Sequence, residues 1–121
     1  MSLVFLKPWL LVCVGGAAGS LLRYCAGLFF GPRATTTFAV NIIGTFLLGV
    51  LTAITEDPRI RLLLGTGLLG GFTTFSTWQL EVYAAAHIDG GSKQALWILF
   101  GSLAAGSVSC WIGFSVGARL R

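Results

Sequence analysis

Four long apolar stretches separated by short polar breaks set the pattern of this chain. They run from about Trp9 to Phe30, Thr37 to Ile54, Leu62 to Ala86 and Ala95 to Val116. Each is near the roughly 20 residues a helix needs to cross a bilayer. The pattern predicts an all-α integral membrane protein, a single four-helix domain over residues 1–121 with spans at about 9–30, 37–54, 62–86 and 95–116. The second stretch is short, which predicts little tilt or a start further back in the preceding loop. The breaks are Gly31-Pro32-Arg33, Thr55 to Arg59, and His87 to Gln94 with Asp89-Gly90-Gly91. In them the strongest helix breakers coincide with charge. The apolar run after Lys7 continues past Leu21 and Leu22 with no cleavage site to close it. It is too long for a signal-peptide core and reads as a retained span.

The third stretch breaks the apolar rule. Gly70-Gly71-Phe72-Thr73-Thr74-Phe75-Ser76-Thr77-Trp78 holds two adjacent glycines, four hydroxyls and three aromatic rings, and Glu81 follows three residues later. A helix in lipid must satisfy its own backbone, so a break is tolerated only where protein or a water-filled cavity takes over. The third helix is therefore expected to break at Gly70 and Gly71 and to line a polar path. Carbonyls freed from the first half can hold a cation, while the N-terminus of the second half favours an anion. The hydroxyls of Thr73, Thr74, Ser76 and Thr77 either cap the new helix end, as at least one is expected to do, or line the track. Phe75, Trp78 and Glu81 recur every three residues and share a face. Ring edges carry partial positive charge and can join hydroxyl donors in replacing the water around a small anion. Glu81 inside a span is costly when charged, so it is functional, protonated or hydrogen-bonded.

Composition agrees with the pattern. The chain is 55% hydrophobic and 10% charged, against about a quarter charged in a soluble domain. The net charge of +4 comes from basic residues near the segment ends. They suit headgroup anchors and form no stripe for nucleic acid. An even number of spans places Lys7, Arg59, Arg61, Arg119 and Arg121 on one side, opposite Arg33 and Lys93, which favours cytoplasmic termini. Cys13, Cys25 and Cys110 lie in apolar segments without paired spacing and read as small buried hydrophobes. With a single histidine, His87, at a loop edge and no nucleophile–base pair, the chain is not read as an enzyme.

Other polar residues in the spans leave alternatives open. Arg23 in the first span either snorkels to the interface or fixes a positive charge at the mouth of an anion path. Asn41 either bonds between helices or faces a polar pathway as a donor. Ser107, Ser109 and Ser115 are expected to bond back to their own helix, with Ser102 the exception. The pairs Gly15/Gly19, Gly27/Gly31, Gly67/Gly71 and Gly113/Gly117 allow close helix approach, within one subunit or, as expected from their number, in a homo-oligomer.

The set Gly15-Gly16-x-x-Gly19-x-x-x-Arg23-Tyr24, then Asn41 with Gly44, then Gly70-Gly71-x-Thr73-Thr74-Phe75-Ser76-Thr77-Trp78-x-x-Glu81, resembles the CrcB/Fluc fluoride channels across nearly the whole chain. The resemblance implies a passive, fluoride-selective ion channel in the cell inner (plasma) membrane that exports cytoplasmic fluoride down its electrochemical gradient. It implies a four-helix subunit, with the third helix broken, that pairs as an antiparallel, dual-topology homodimer with two pores. It further implies a structural sodium ion at the dimer centre, held by the main-chain carbonyls of Gly70 and Thr73. The fluoride pathway it implies uses Asn41, Phe75, Ser76, Thr77, Trp78, Glu81 and Ser102, with Arg23 near the vestibule. Two departures stand out. Trp78 replaces the second phenylalanine of the motif, and Gly106 stands one turn after Ser102 where a hydroxyl is common. The alternative is a small multidrug or cation exporter, also four-helix and dual-topology. That chemistry needs a carboxylate in the first span, and this first span has Arg23 and no acid. A non-transporting assembly protein would leave Asn41, the break and Glu81 unexplained.

Overall fold

Proline and glycine mark the helix ends in the computed structural model, which describes residues 7–121. Helix α1 (Pro8–Phe30) begins on a proline, whose missing N–H is no loss in a first turn. It stops at Gly31, where φ is +80°, a conformation glycine adopts without strain. Helix α2 (Arg33–Ile54) follows at once. Its start four residues before Thr37 resolves the short second span: the Thr35–Thr37 run lies inside the helix, not in a loop. Asp57 then caps the next helix by accepting from the N–H groups of Arg59 (2.8 Å) and Ile60 (3.3 Å). That helix, α3, spans residues 58–72 as Pro58–Ile60, a π-helical stretch Arg61–Leu69 and a last turn Gly70–Phe72. Helix α4 is Phe75–Ala86. Helix α5 runs Ser92–Leu120, with a short π-helical segment at Trp97–Gly101. Among the described residues all regular structure is helical.

Helices α1, α2 and α5 are each long and apolar enough to cross a membrane unbroken. The chain is a multi-pass membrane protein. Helices α3 and α4 lie between α2 and α5 in the chain as two shorter pieces joined at Thr73 and Thr74. Large apolar side chains cover its outside, among them Phe29 (85% exposed) and Trp97 (79%). Water would make such a surface a liability, whereas lipid makes it the ordinary exterior. Arg121 reaches Glu56 at 3.1 Å, tying the end of α5 to the turn after α2. Arg61 turns back to donate to the Thr55 and Thr52 carbonyls at 2.9 and 3.2 Å. It thereby satisfies acceptors that the end of α2 leaves open.

Two backbone-to-backbone seams hold the bundle together. Helix α1 packs on α3 and α2 packs on α5. In the first seam a Cβ on Gly15 or Gly19 would meet the backbone of residues 63–72, and one on Gly71 would meet the Gly16 carbonyl. In the second, Gly49 lies on the backbone of Cys110, and Gly113 and Gly117 lie on that of Phe46 and Val50. Three of the four glycine pairs are thus used inside the subunit, and only Gly27/Gly31 has open space around it. The pairs give no separate argument for oligomerisation. The cysteines are free, and Cys13 is exposed where burial was expected.

Candidate functional site

The break in the third span lies at Thr73 and Thr74, beyond the glycines. Gly70 keeps helical angles, φ −63° and ψ −37°, so its freedom is not what opens the helix. Thr73 and Thr74 are both extended, at φ −81°, ψ 161° and φ −147°, ψ 120°. Each free end has a side-chain cap. The Thr73 hydroxyl donates to the Leu69 carbonyl at 2.9 Å. The Thr74 hydroxyl accepts the Thr77 N–H at 3.3 Å and donates to the Thr77 hydroxyl at 3.1 Å. Capping therefore accounts for two of the four hydroxyls in the motif, and the Thr77 hydroxyl accepts from one of them.

Asn41 supplies what the helix gives up. Its Oδ1 accepts the Thr74 N–H at 2.8 Å, and its Nδ2 donates to the Thr74 carbonyl at 3.0 Å. The carboxamide thus replaces two ladder bonds in a setting where lipid offers none. It also diverts the Thr74 N–H from the Gly70 carbonyl, its partner in an uninterrupted α-helix. Gly44 allows this approach, since a Cβ there would run into the Thr73 methyl.

One turn before Asn41, the Thr37 hydroxyl donates to Glu81 Oε1 at 2.7 Å. Thr37 is buried. The hydrogen-bonded reading of Glu81 is the one realised. The two links, 41 to 74 and 37 to 81, show that α4 runs antiparallel to α2. Thr37, Asn41 and Thr45 lie four residues apart on one face of α2. That spacing was a readable polar stripe, and of the three only Asn41 was singled out.

Beside the break lies a crevice of about 500 Å³ between α2, α3, α4 and α5. Its wall includes Asn41, Gly70, Thr73, Phe75, Trp78 and Ser102. Phe75 stands at its lip, 70% exposed, with its ring centroid 5.3 Å from that of Trp78 and the planes tilted by 47°. Gly106, Ser107 and Cys110 continue the α5 wall beyond Ser102. Four anticipated residues do not line this space. Ser76 is exposed away from it, Thr77 is engaged with Thr74, Glu81 with Thr37, and Arg23 is half-buried on α1. Ser107 and Ser115 bond back to their own helix at 2.9 Å, as expected. Ser109 instead crosses to the Ile42 carbonyl at 2.8 Å.

Fold and site together define a class: a small polytopic helical membrane protein with a helix break beside a largely apolar crevice that holds a few polar groups. The family described as CrcB-like protein, Camphor Resistance (CrcB), matches residues 10–114. The chain belongs to this family. A curated relative from Symbiobacterium thermophilum, "Fluoride-specific ion channel FluC 1", is 38% identical over 90% of this chain and 96% of its own length. One from Gloeobacter violaceus, "Fluoride-specific ion channel FluC", is 41% identical over 91% of this chain and 95% of its own. A third of that name, from Acidobacterium capsulatum, is 37% identical over 93% and 97%.

Proposed function

We propose that this chain is a fluoride-selective channel through which cytoplasmic fluoride leaves the cell passively across the plasma membrane. The observation that carries the reading is the Asn41–Thr74 clamp, which keeps a helix broken beside a crevice walled by hydroxyls and aromatic rings, in a chain whose full-length relatives bear the name of fluoride channels. A small, strongly hydrated anion needs donors in place of water. Hydroxyl and amide N–H groups supply them directly, and aromatic edges supply weaker partial charge. The protein conducts and catalyses no reaction, so no fuel or nucleophile is required of it.

The working unit in this reading is an antiparallel, dual-topology homodimer with two pores. Its support is the openness of the crevice, which a single subunit leaves unwalled at the exposed Phe75 ring. A second copy would close that side. The structural sodium ion fits the donors present. The Gly70 carbonyl has lost its helical donor to Asn41, Thr73 is extended, and both residues line the crevice. Uncharged carbonyl oxygens of this kind suit a hard monovalent cation. Bound there, sodium would neutralise the partial negative charge of the α3 end.

Purified protein in liposomes tests the function. Fluoride efflux with little chloride efflux is the expected result, and proton-coupled cation exchange without anion flux would overturn it. For the architecture, a cysteine-specific reagent added to one side should label a cysteine introduced near Lys7 in about half of the molecules.

A further inference from the structure

Trp78 presents the only buried side-chain donor or acceptor atom that finds no partner among the described residues, the indole Nε1–H. The residue is 7% exposed and lines the crevice. Folded proteins pair nearly all such groups, and an exception asks for a cause. A phenylalanine would bury a ring here without stranding a donor.

None of the acceptors around the break takes the indole N–H. Asn41 Oδ1 accepts the Thr74 N–H, the Thr74 carbonyl accepts from Asn41, and the Thr77 hydroxyl accepts from the Thr74 hydroxyl. The indole is a donor only, so it can serve an anion or a water but not a cation. Its ring lies against Phe75 at the lip of the crevice. An acceptor passing through that space is what the site lacks.

We propose that the Trp78 indole N–H donates a hydrogen bond directly to the permeating fluoride ion. This rests on the channel reading above and deepens it. The second ring of the motif contributes here a true N–H donor and not only a ring edge. Such a donor strengthens the hold on the anion most when the anion is small and its charge concentrated, as in fluoride compared with chloride.

The test uses the full chain with ¹⁵N-labelled indoles in detergent micelles, titrated with sodium fluoride and, at matched ionic strength, sodium chloride. The chain has four tryptophans. Trp9, Trp97 and Trp111 are all exposed (59%, 79% and 69%) and serve as internal controls. The Trp78 resonance is the one lost in Trp78→Phe. If that variant does not fold, it is the one left after Trp9→Phe, Trp97→Phe and Trp111→Phe identify the others. The expected result is a saturable downfield shift of the Trp78 N–H proton in fluoride and none in chloride. In liposomes, Trp78→Phe should still pass fluoride, with a half-saturating concentration raised roughly 10- to 150-fold, the range for losing a hydrogen bond to a charged partner. A Trp78 resonance that stays fixed in fluoride while wild-type liposomes pass fluoride overturns this proposal alone. Wild-type liposomes that pass no fluoride overturn the channel reading and this proposal with it.

Discussion

Asn41 on α2 holds both backbone groups of Thr74, accepting its N–H at 2.8 Å and donating to its carbonyl at 3.0 Å. The break in the third span is therefore a paired structure, stabilised from another helix, and the same pairing leaves the Gly70 carbonyl open to a different partner.

Removing the carboxamide should strand both Thr74 groups. Asn41→Ala is expected to cost about 1–3 kcal/mol for each group left unpaired and to abolish fluoride efflux. Thermal unfolding in detergent and liposome efflux measure the two effects. An unchanged melting temperature would show that the clamp does not hold the break.

Glycine substitutions should differ in sign by position. Gly19→Ala drives a Cβ into the Leu68 carbonyl, and overpacking of this kind typically costs about 1–3 kcal/mol. Gly27→Ala, on the same helix with nothing within 4 Å, should be neutral or gain up to about 1 kcal/mol from helix propensity. Melting temperatures of the two variants check this. Equal losses would mean that a second subunit packs on Gly27.

Phe75 exposes 70% of its surface at the lip of the crevice, so little of the fold depends on it. Phe75→Ile should fold, keep its oligomeric size on a sizing column and lose fluoride efflux. Undiminished efflux would remove the ring from the pathway.

The Thr37 hydroxyl donates to the Glu81 carboxyl group at 2.7 Å. Thr37→Val keeps the shape and leaves the carboxyl group unsatisfied within the span, at about 1–3 kcal/mol. Thr37→Ser restores the donor and should restore stability. Slower efflux in the valine variant, recovered with serine, would make the pair part of the route. A purely structural pair would shift melting temperature and leave efflux unchanged.

Much of the architecture was legible from residue order. Runs of about 20 apolar residues, punctuated by Gly31-Pro32 and Asp57-Pro58, marked the crossings and their ends, because a spanning helix must satisfy its hydrogen bonds within its own segment. The hydroxyl-rich motif marked a break for the same reason. The helix opens at Thr73 and Thr74 and not at the two glycines, because Gly71 is small so that the Gly16 carbonyl can approach. Likewise the glycine pairs allow close packing either within one subunit or between subunits, and three of the four are seams within one.

Local pattern was therefore sufficient for membrane residence, the all-helical class and the presence of a polar interruption, since each depends on a segment meeting lipid by itself. Where the helix opens, which hydroxyls are spent on capping, and that Trp78 keeps an unpaired N–H depend on contacts between distant parts of the chain. Asn41 and Thr74 are 33 residues apart, and Thr37 and Glu81 are 44 apart. Whether a polar group is free or satisfied is a property of the partner it meets, and folding brings those partners together.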